Sequence, residues 1–527
     1  MYGREIGRGA YGTVYRSDLD PSKVTKAFRE DSDNDVEQAF LTEVYIGHYL
    51  TACSNPYTPK LHKFSTKQHT ITMDWAGKEI STVKWPSEAT MYKAIRQFIL
   101  AVASLGEAGL IHRDLKPQNV LWKEESEQLY IIDWGLGMVS GALLKDYKPS
   151  YVQTRWWRAP EVLLYDHTRS YSSKIDVWSM GIIILEILTG QTFEGMNKEE
   201  QLHHYFQVFG TPHDRGGLMT HSSFAVATRS IPFYSSSLTD LLKGVDAEIA
   251  GLLRTEILCL EPKTRISSEG LAKHPIVQSW AKDSNVVHPA HSLRPFSPTW
   301  PSKSTSITLR MFSIVFDWLL EVCLYFKADI RIFPLSCALI HRCLDAEPER
   351  DRSTLQRLAC ACLYLTSSFL CYPRLKAKDL VSVSLRAFTK EALLEEASKV
   401  LTLIPNLIEV QRGLPYSRVF DHQDFYDVPT FYLGALILLR DCIFRINHEA
   451  VDPQVALSLA CHLLNPEVHP MPIHPFRPSK RPSLKALSTM SSSVKSSYLF
   501  TKKSMSGLDF ERLKGLKSEL VHDFFRS

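Results

Sequence analysis

Residues Ile111–Leu121 read IHRDLKPQNVL, and ten residues further on Ile131–Gly135 read IIDWG. Each stretch sets polar groups between apolar flanks: Asp114, Lys116 and Asn119 in the first, Asp133 in the second. Two carboxylates, an ammonium and an amide at this spacing seldom arise by accident. Toward the N-terminus, Gly7, Gly9 and Gly12 stand in IGRGAYGTV together with Ile6, Tyr11 and Val14. Glycines so spaced let a backbone approach phosphate closely, in a dinucleotide fold as elsewhere. The dinucleotide version needs a turn that opens a helix, with an acidic residue about 20 positions on. Here Thr13–Arg16 (TVYR) continues as a strand, so the glycines belong to a hairpin.

The chain has 527 residues, enough for two or three cores of ordinary domain size. Its ten cysteines are scattered, without paired metal spacing or a dense disulfide framework, which favours a reducing, intracellular compartment. MYGREIGRG is too polar for a secretory signal, and no apolar run reaches the roughly 20 residues that span a bilayer. A soluble protein with no membrane partner is expected. The net charge of +4 is uneven: from Pro470 onward 11 basic side chains face 4 acidic ones, in a Ser- and Pro-rich tail of disordered composition. Within that tail Leu508, Leu513, Leu516, Leu520 and Phe524 recur at helical spacing, a candidate docking helix. The run Arg477–Lys485 (RPSKRPSLK) is either an address to the nucleus or a solvated linker, so the location is nucleus, cytoplasm or both, and nucleic acid is not an expected partner.

Residues 1 to about 75 alternate apolar and polar positions around one helical stretch, Val36–Leu50, which suits a small sheet with a single helix. From about Glu88 the pattern is helical. A Pro- and Ser-rich break, His288–Ser306, separates this part from a second, almost wholly helical one. The boundaries read 1–285, a linker 286–306, a helical domain 307–408, a second helical block 409–466 and the tail 467–527. In the helical domain the periodic segments are Met311–Tyr325, Phe333–Leu344, Leu355–Phe369, Ala377–Ser384 and Lys390–Leu403.

IHRDLKPQNVL and IIDWG, with Arg158–Glu161 (RAPE) and DVWSMGI from Asp176, resemble the catalytic and metal-binding loops and large lobe of eukaryotic protein kinases. The resemblance implies an α+β, bilobal fold: an antiparallel sheet plus one helix, then a helical lobe. It also implies ATP and Mg²⁺ as cofactors. Asp114 would accept the substrate hydroxyl's proton, Lys116 would stabilise the transferring phosphoryl group, and Asn119 and Asp133 would hold the metal. Thr154 would bond Asp114 and Lys116, and the Lys-Pro context of Lys116 points to serine/threonine specificity. Ile6, Gly7, Gly9, Gly12, Val14, Val24, Asp74, Ala76 and Leu121 would surround the nucleotide, with Met73 at the gatekeeper position. A strand lysine should meet the phosphates and a helix glutamate, here Glu43. Lys26 is preferred to Lys23, because Val24 and Lys26 then share one strand face. Trp134 departs from the usual phenylalanine. Glu161 and Arg265 would form an internal ion pair, and Asp176 would brace the catalytic loop.

YVQTRWWRAPEVLL and the later FGTP resemble the branch of cyclin-dependent and mitogen-activated kinases, in which Arg158 favours proline after the phosphoacceptor. Substrates with Ser-Pro or Thr-Pro sites are therefore expected. The activation-loop threonine position is Pro149, and the helix arginine that would clamp its phosphate is Thr42. Ser150 and Tyr151 remain as alternative acceptors, the latter with Arg155 as a partner.

Met311–Val322 (MFSIVFDWLLEV), followed by RCLD, LQRLACACLYLTSSF and FTKEALLEEASKVL, resembles a cyclin box. This implies an all-α activating domain acting on the kinase of its own chain. Met311, Val315 and Trp318 match the cyclin patch that captures docking-motif proteins, although core packing accounts for them as well. Ser368, Leu370 and Cys371 replace the polar residues with which cyclins grip the kinase helix. A tether of about 20–25 residues raises effective concentration to roughly millimolar, which offsets a weak interface. Two other readings are a scaffold that keeps the kinase fold as structure, and a kinase whose helical half is a non-activating adaptor.

Overall fold

The computed structural model describes residues 3–9, 11–29, 34–139, 153–164, 172–211, 233–283, 332–370 and 375–404, with single positions and pairs between 307 and 328. Pro149, Ser150, Tyr151, the 286–306 linker, the 409–466 block and the 467–527 tail with its candidate helix lie outside the described residues. The chain divides into two units, Met1–His291 and Ser292–Ser527.

The first unit opens with strands β1 (Arg4–Arg8), β2 (Gly12–Arg16) and β3 (Lys23–Phe28), helix α1 (Asn34–Ala52), and strands β4 (Leu61–Ser65) and β5 (Thr70–Asp74). The strands form one antiparallel sheet in the order β1-β2-β3-β5-β4. Burial alternates along β3: Val24, Lys26 and Phe28 turn inward, while Lys23, Thr25 and Ala27 remain partly exposed. The hairpin between β1 and β2 needs glycine at position 12, where a Cβ would stand 2.3 Å from the Ala27 carbonyl oxygen. At Gly7 and Gly9 a Cβ would meet nothing within 4 Å, so the hairpin offers bare backbone over open space.

Beyond β6 (Lys78–Glu79) the chain becomes helical. Helix α2 (Glu88–Ala108) starts at Ser87, whose side chain accepts the Thr90 N–H at 3.2 Å, and ends at Gly109 in the left-handed region (φ 65°). Such a cap contributes about 1 kcal/mol. Its apolar side, including Ile95, Phe98, Ile99 and Val102, is fully buried. Gly106 lies so close to helix Ser268–Lys273 that a Cβ would reach 2.4 Å from the Glu269 nitrogen. Short strands β7 (Leu110–Ile111), β8 (Val120–Lys123), β9 (Gln128–Ile131) and β10 (Met138–Val139) pair as β10-β7 and β6-β8-β9. They tether both ends of the Ile111–Leu121 loop. Helices α3 (Pro160–Leu164), α4 (Lys174–Thr189) and α5 (Lys198–Phe209) follow. The core around α4 is pinned by Arg265, whose guanidinium meets Glu161 through two bonds of 2.7 and 3.0 Å and lies 4.9 Å from the Trp178 ring.

All the regular secondary structure among the second unit's described residues is helical. Its helices run Ile332–Ala346, Leu355–Leu370, Ala377–Val383 and Lys390–Leu403. Residues 311, 314–315, 318–319, 322–323 and 325 are also helical. Helix Leu355–Leu370 packs against the other three, and its Ala359, Cys360, Ala361 and Cys362 are buried. Buried Glu396 is satisfied by Arg350 at 2.7 Å and Arg357 at 3.1 Å. Ser368 turns its hydroxyl back to the Tyr364 carbonyl at 2.9 Å. Met311, Val315 and Trp318 are each partly exposed. An α+β unit with an antiparallel sheet, followed by an all-α unit, is the architecture expected from the sequence. Among the described residues no helix is long and apolar enough to cross a membrane.

Candidate active site

Three segments far apart in sequence meet beneath the five-stranded sheet. From β3 comes Lys26, from α1 Glu43, and from the turn after β9 Asp133. Lys26 Nζ donates to Glu43 Oε2 at 2.6 Å and to Asp133 Oδ1 at 2.8 Å. Lys23, three residues back on the opposite face of β3, instead donates to Asp74 Oδ1 at 2.5 Å beside His62. One ammonium thus serves two carboxylates, and burial decides how they differ. Glu43 is nearly sealed, its side chain 4% exposed, while Asp133 is 32% exposed. Burial, opposed by Lys26, pushes the Glu43 carboxyl up to about 7. Asp133 loses less: burial works against its charge, but the Lys26 ammonium outweighs it and holds the carboxyl below its ordinary range. The same two carboxylates hold the Lys26 ammonium above its usual range in spite of burial.

The loop Ile111–Leu121 presents its polar groups at one point. Asp114 Oδ1 accepts both the Thr154 N–H at 3.0 Å and the Thr154 hydroxyl at 2.9 Å; Lys116 Nζ donates to Oδ2 at 2.8 Å. Asn119 donates its Nδ2 to the Asp114 carbonyl at 2.8 Å. Beneath them Asp176, 1% exposed, accepts the His112 N–H at 2.6 Å and the Arg113 N–H at 2.9 Å. Burial raises its carboxyl in spite of these bonds. Arg113 and Asp133 adopt φ values of 67° and 66°, left-handed conformations that non-glycine residues hold only when surroundings enforce them.

A divalent cation fits what the side chains offer. With its amide nitrogen committed, Asn119 has its oxygen available; with Oδ1 on Lys26, Asp133 retains Oδ2. An amide oxygen beside a charge-stabilised carboxylate is the hard-oxygen set that Mg²⁺ prefers. A nucleotide fits the neighbouring wall. Val24 and Ala76 are buried, Leu121 is partly exposed, and Ile6 is 39% exposed at the hairpin edge. The Ala76 N–H has no partner among the described residues, whereas the Trp75 N–H is taken by the Ser22 carbonyl at 2.7 Å.

Gln153 carried no signal in sequence, yet it organises the segment before Arg158. Its φ is 64°, and its amide group donates to the Ile175 carbonyl and Ser179 and accepts from the Ala159 N–H. Its own carbonyl accepts from Arg158 Nε at 3.2 Å and Nη2 at 2.6 Å. Trp157, next to Arg158, donates its indole N–H to Glu186 at 2.8 Å.

Comparison with known proteins accords with this geometry. The family model described as the protein kinase domain matches residues 1–277, and that of the N-terminal cyclin domain matches residues 288–405. Mitogen-activated protein kinase spm1 of Cytospora mali is 29% identical over 296 residues, covering 53% of this chain and 70% of that protein. Cyclin-dependent kinase B2-1 of Arabidopsis thaliana is 29% identical over 304 residues, covering 54% of this chain and 94% of its own length. Its namesake from Oryza sativa subsp. japonica is 36% identical over 181 residues, 34% of this chain and 54% of that protein. With a kinase match across more than half its length and relatives of the cyclin-dependent and mitogen-activated types, the chain belongs to the serine/threonine protein kinases and carries an N-terminal cyclin domain behind its kinase domain.

Proposed function

We propose that the chain transfers the γ-phosphate of ATP, with Mg²⁺, to serine or threonine followed by proline, and that its own cyclin-like half keeps it active. The observation that carries the reading is the joint placement of Lys26, Glu43 and Asp133 within 2.8 Å contacts. Asp114, oriented by Thr154 and Lys116, accepts the substrate hydroxyl's proton as that oxygen attacks. Lys116 faces the charge on the transferring group, and Lys26 the phosphates behind it. Asn119 and Asp133 would hold Mg²⁺, which supplies charge neutralisation across the phosphates.

Proline selection is supported by the Gln153 carbonyl. Turned by its left-handed backbone toward the Arg158 guanidinium, that carbonyl is not open to an N–H of the residue after the phosphoacceptor. Proline has no N–H to leave unpaired. A peptide library phosphorylated by the full chain should enrich proline at that position; indifference there would sink the assignment.

Activation within the chain is supported by three features. Thr42 and Pro149 leave the phosphate switch without either half. Arg113 Nε is engaged with the Leu136 carbonyl at 2.5 Å. Between Gln38 and Ala52, Glu43 is the only Asp, Glu, Lys or Arg in α1, so the helix lacks the polar face of a surface helix and calls for a second apolar partner beyond the sheet. Specific activity that stays constant on dilution fits a partner in the same chain; activity falling with dilution points to exchange between two copies. Intracellular action on docking-motif proteins at Met311, Val315 and Trp318, in cell-cycle or transcription control, completes the proposal.

A further inference from the structure

The segment Trp156–Arg158 is fastened to two helices. From α5 the Tyr205 hydroxyl stands 3.0 Å from both the Trp156 and the Arg158 carbonyl oxygens, and from α4 the Ser179 hydroxyl donates to the Trp157 carbonyl at 2.7 Å. These ties are neutral and fix the main chain. The side chain of Trp157, 4% exposed, has a tie of another kind: its indole N–H donates to Glu186 Oε2 at 2.8 Å, near the end of α4. The Phe193 N–H approaches the same carboxyl, and Glu194 and Tyr205 are the ionisable groups that face it. Among the described residues no lysine or arginine forms an ion pair with it. Burial, with Glu194 adding to it and Trp157 opposing it, pushes the carboxyl up to about 7. An indole N–H only donates, and a carboxylate is its strong acceptor. A protonated carboxyl accepts less well and brings a hydrogen of its own into a shell that already supplies hydrogens.

We propose that Glu186 is a positioning residue for substrate selection: its charged carboxylate seats the Trp157 indole, and the seated indole keeps the adjacent Arg158 guanidinium on the Gln153 carbonyl. Glu186 acts through Trp157, not on the substrate. When the carboxyl takes up a proton the bond weakens, Trp157 loosens, and Arg158 covers the Gln153 carbonyl in fewer molecules. That oxygen then opens to an N–H of the substrate. Discrimination in favour of proline is therefore strongest above pH 7 and declines below it. MgATP, met by Lys26, Asn119 and Asp133 in another part of the site, does not feel the change. The consequence for selection rests on the proline reading above; the link between Glu186 and Trp157 does not.

The test uses the full chain as parent, as Glu186→Gln, which keeps a neutral acceptor, and as Glu186→Met, which keeps none. At pH 6 and pH 8, kcat/KM is measured for two peptides that differ only in proline or alanine after the phosphoacceptor, with the KM for MgATP alongside. In the parent the Pro/Ala ratio should drop about fivefold from pH 8 to pH 6, the difference between a charge-assisted and a neutral bond. In Glu186→Gln the ratio should hold one intermediate value at both pH values, and in Glu186→Met a lower one, again without pH dependence. The KM for MgATP should be the same in all three proteins at each pH. A parent ratio that is high and flat, a drop that persists in Glu186→Gln, or a ratio in Glu186→Met equal to the parent's at pH 8 would overturn the proposal. The indole ¹H–¹⁵N resonances of the same proteins read the link without turnover: one should titrate with a midpoint near pH 7 in the parent and stop titrating in Glu186→Gln, and the lack of any such resonance would also overturn it. If Glu186→Met does not fold, the parent against Glu186→Gln keeps both readouts. A parent ratio near one at both pH values would remove the proline reading and with it the role in selection, while the indole resonance still decides whether Glu186 holds Trp157.

Discussion

Arg158→Ala isolates the device on which proline selection depends. In the folded protein the Gln153 carbonyl is occupied by Nε at 3.2 Å and Nη2 at 2.6 Å of one guanidinium. A substrate residue bearing an N–H at the next position finds no acceptor there. Leaving such a donor unpaired in a desolvated groove costs about 1–3 kcal/mol. Since each 1.36 kcal/mol is tenfold in rate, the preference for proline over alanine should be about 5- to 150-fold in kcat/KM. Removing the guanidinium exposes the carbonyl while Gln153 stays anchored through Ile175, Ser179 and Ala159. The Pro/Ala ratio should then fall below about 5, chiefly because the alanine peptide improves. The assay is steady-state kinetics on two peptides differing only at that residue, where the ratio cancels any loss of folded enzyme. A ratio as high in Arg158→Ala as in the parent would contradict this role of Arg158, as would a parent ratio near one.

Three further perturbations follow from the geometry. Lys26→Met should lower MgATP kcat/KM by about 100-fold or more, because a buried charge facing the phosphates is lost, whereas Lys23→Met should change it by less than about threefold; comparable losses in both would return the choice between the lysines to open. Glu161→Ala leaves Arg265, 0% exposed in its side chain, without its bidentate partner, and should destabilise the kinase unit by about 3–5 kcal/mol in urea unfolding. Burial pushes the Glu186 carboxyl up to about 7 from its ordinary 4.5, in spite of the bond from Trp157. Between those values the folded chain holds more protons than the unfolded one, so stability falls as pH rises through the window and levels off above it. Glu186→Gln, which stays neutral, should gain on the parent by up to about 3 kcal/mol between pH 5 and pH 8, read from urea midpoints; an equal difference at both pH values would contradict the assignment.

Much of this organisation was legible because it is local. The loop Ile111–Leu121 carries its own spacing, and the period-two pattern of β3 puts Val24 and Lys26 on one face whatever the rest of the chain does. Helices Leu355–Leu370 and Lys390–Leu403 of the second unit announce themselves by apolar periodicity, the latter with a Thr389 cap that accepts the Ala392 N–H. What could not be read is what depends on the fold closing. That Lys26 serves Asp133 as well as Glu43 is a contact across 107 positions. Gln153 looks like a spacer between Tyr151 and Thr154, and only its left-handed backbone and the Arg158 contact give it a role. Trp134 stood out as a departure from phenylalanine, whereas Trp157 did not, and its bond to Glu186 across 29 positions emerges only in three dimensions.

On this account the chain is a kinase equipped with its own activator. The most direct measurement is transfer of labelled phosphate from ATP to a Ser-Pro peptide by the purified full-length chain, with no cyclin and no activating kinase added, beside Asp114→Asn. Robust transfer that is lost in Asp114→Asn, by about 10²–10⁴-fold for removal of the general base, is the predicted result. Nucleotide binding without transfer, restored only when an outside cyclin or activating kinase is supplied, would contradict it.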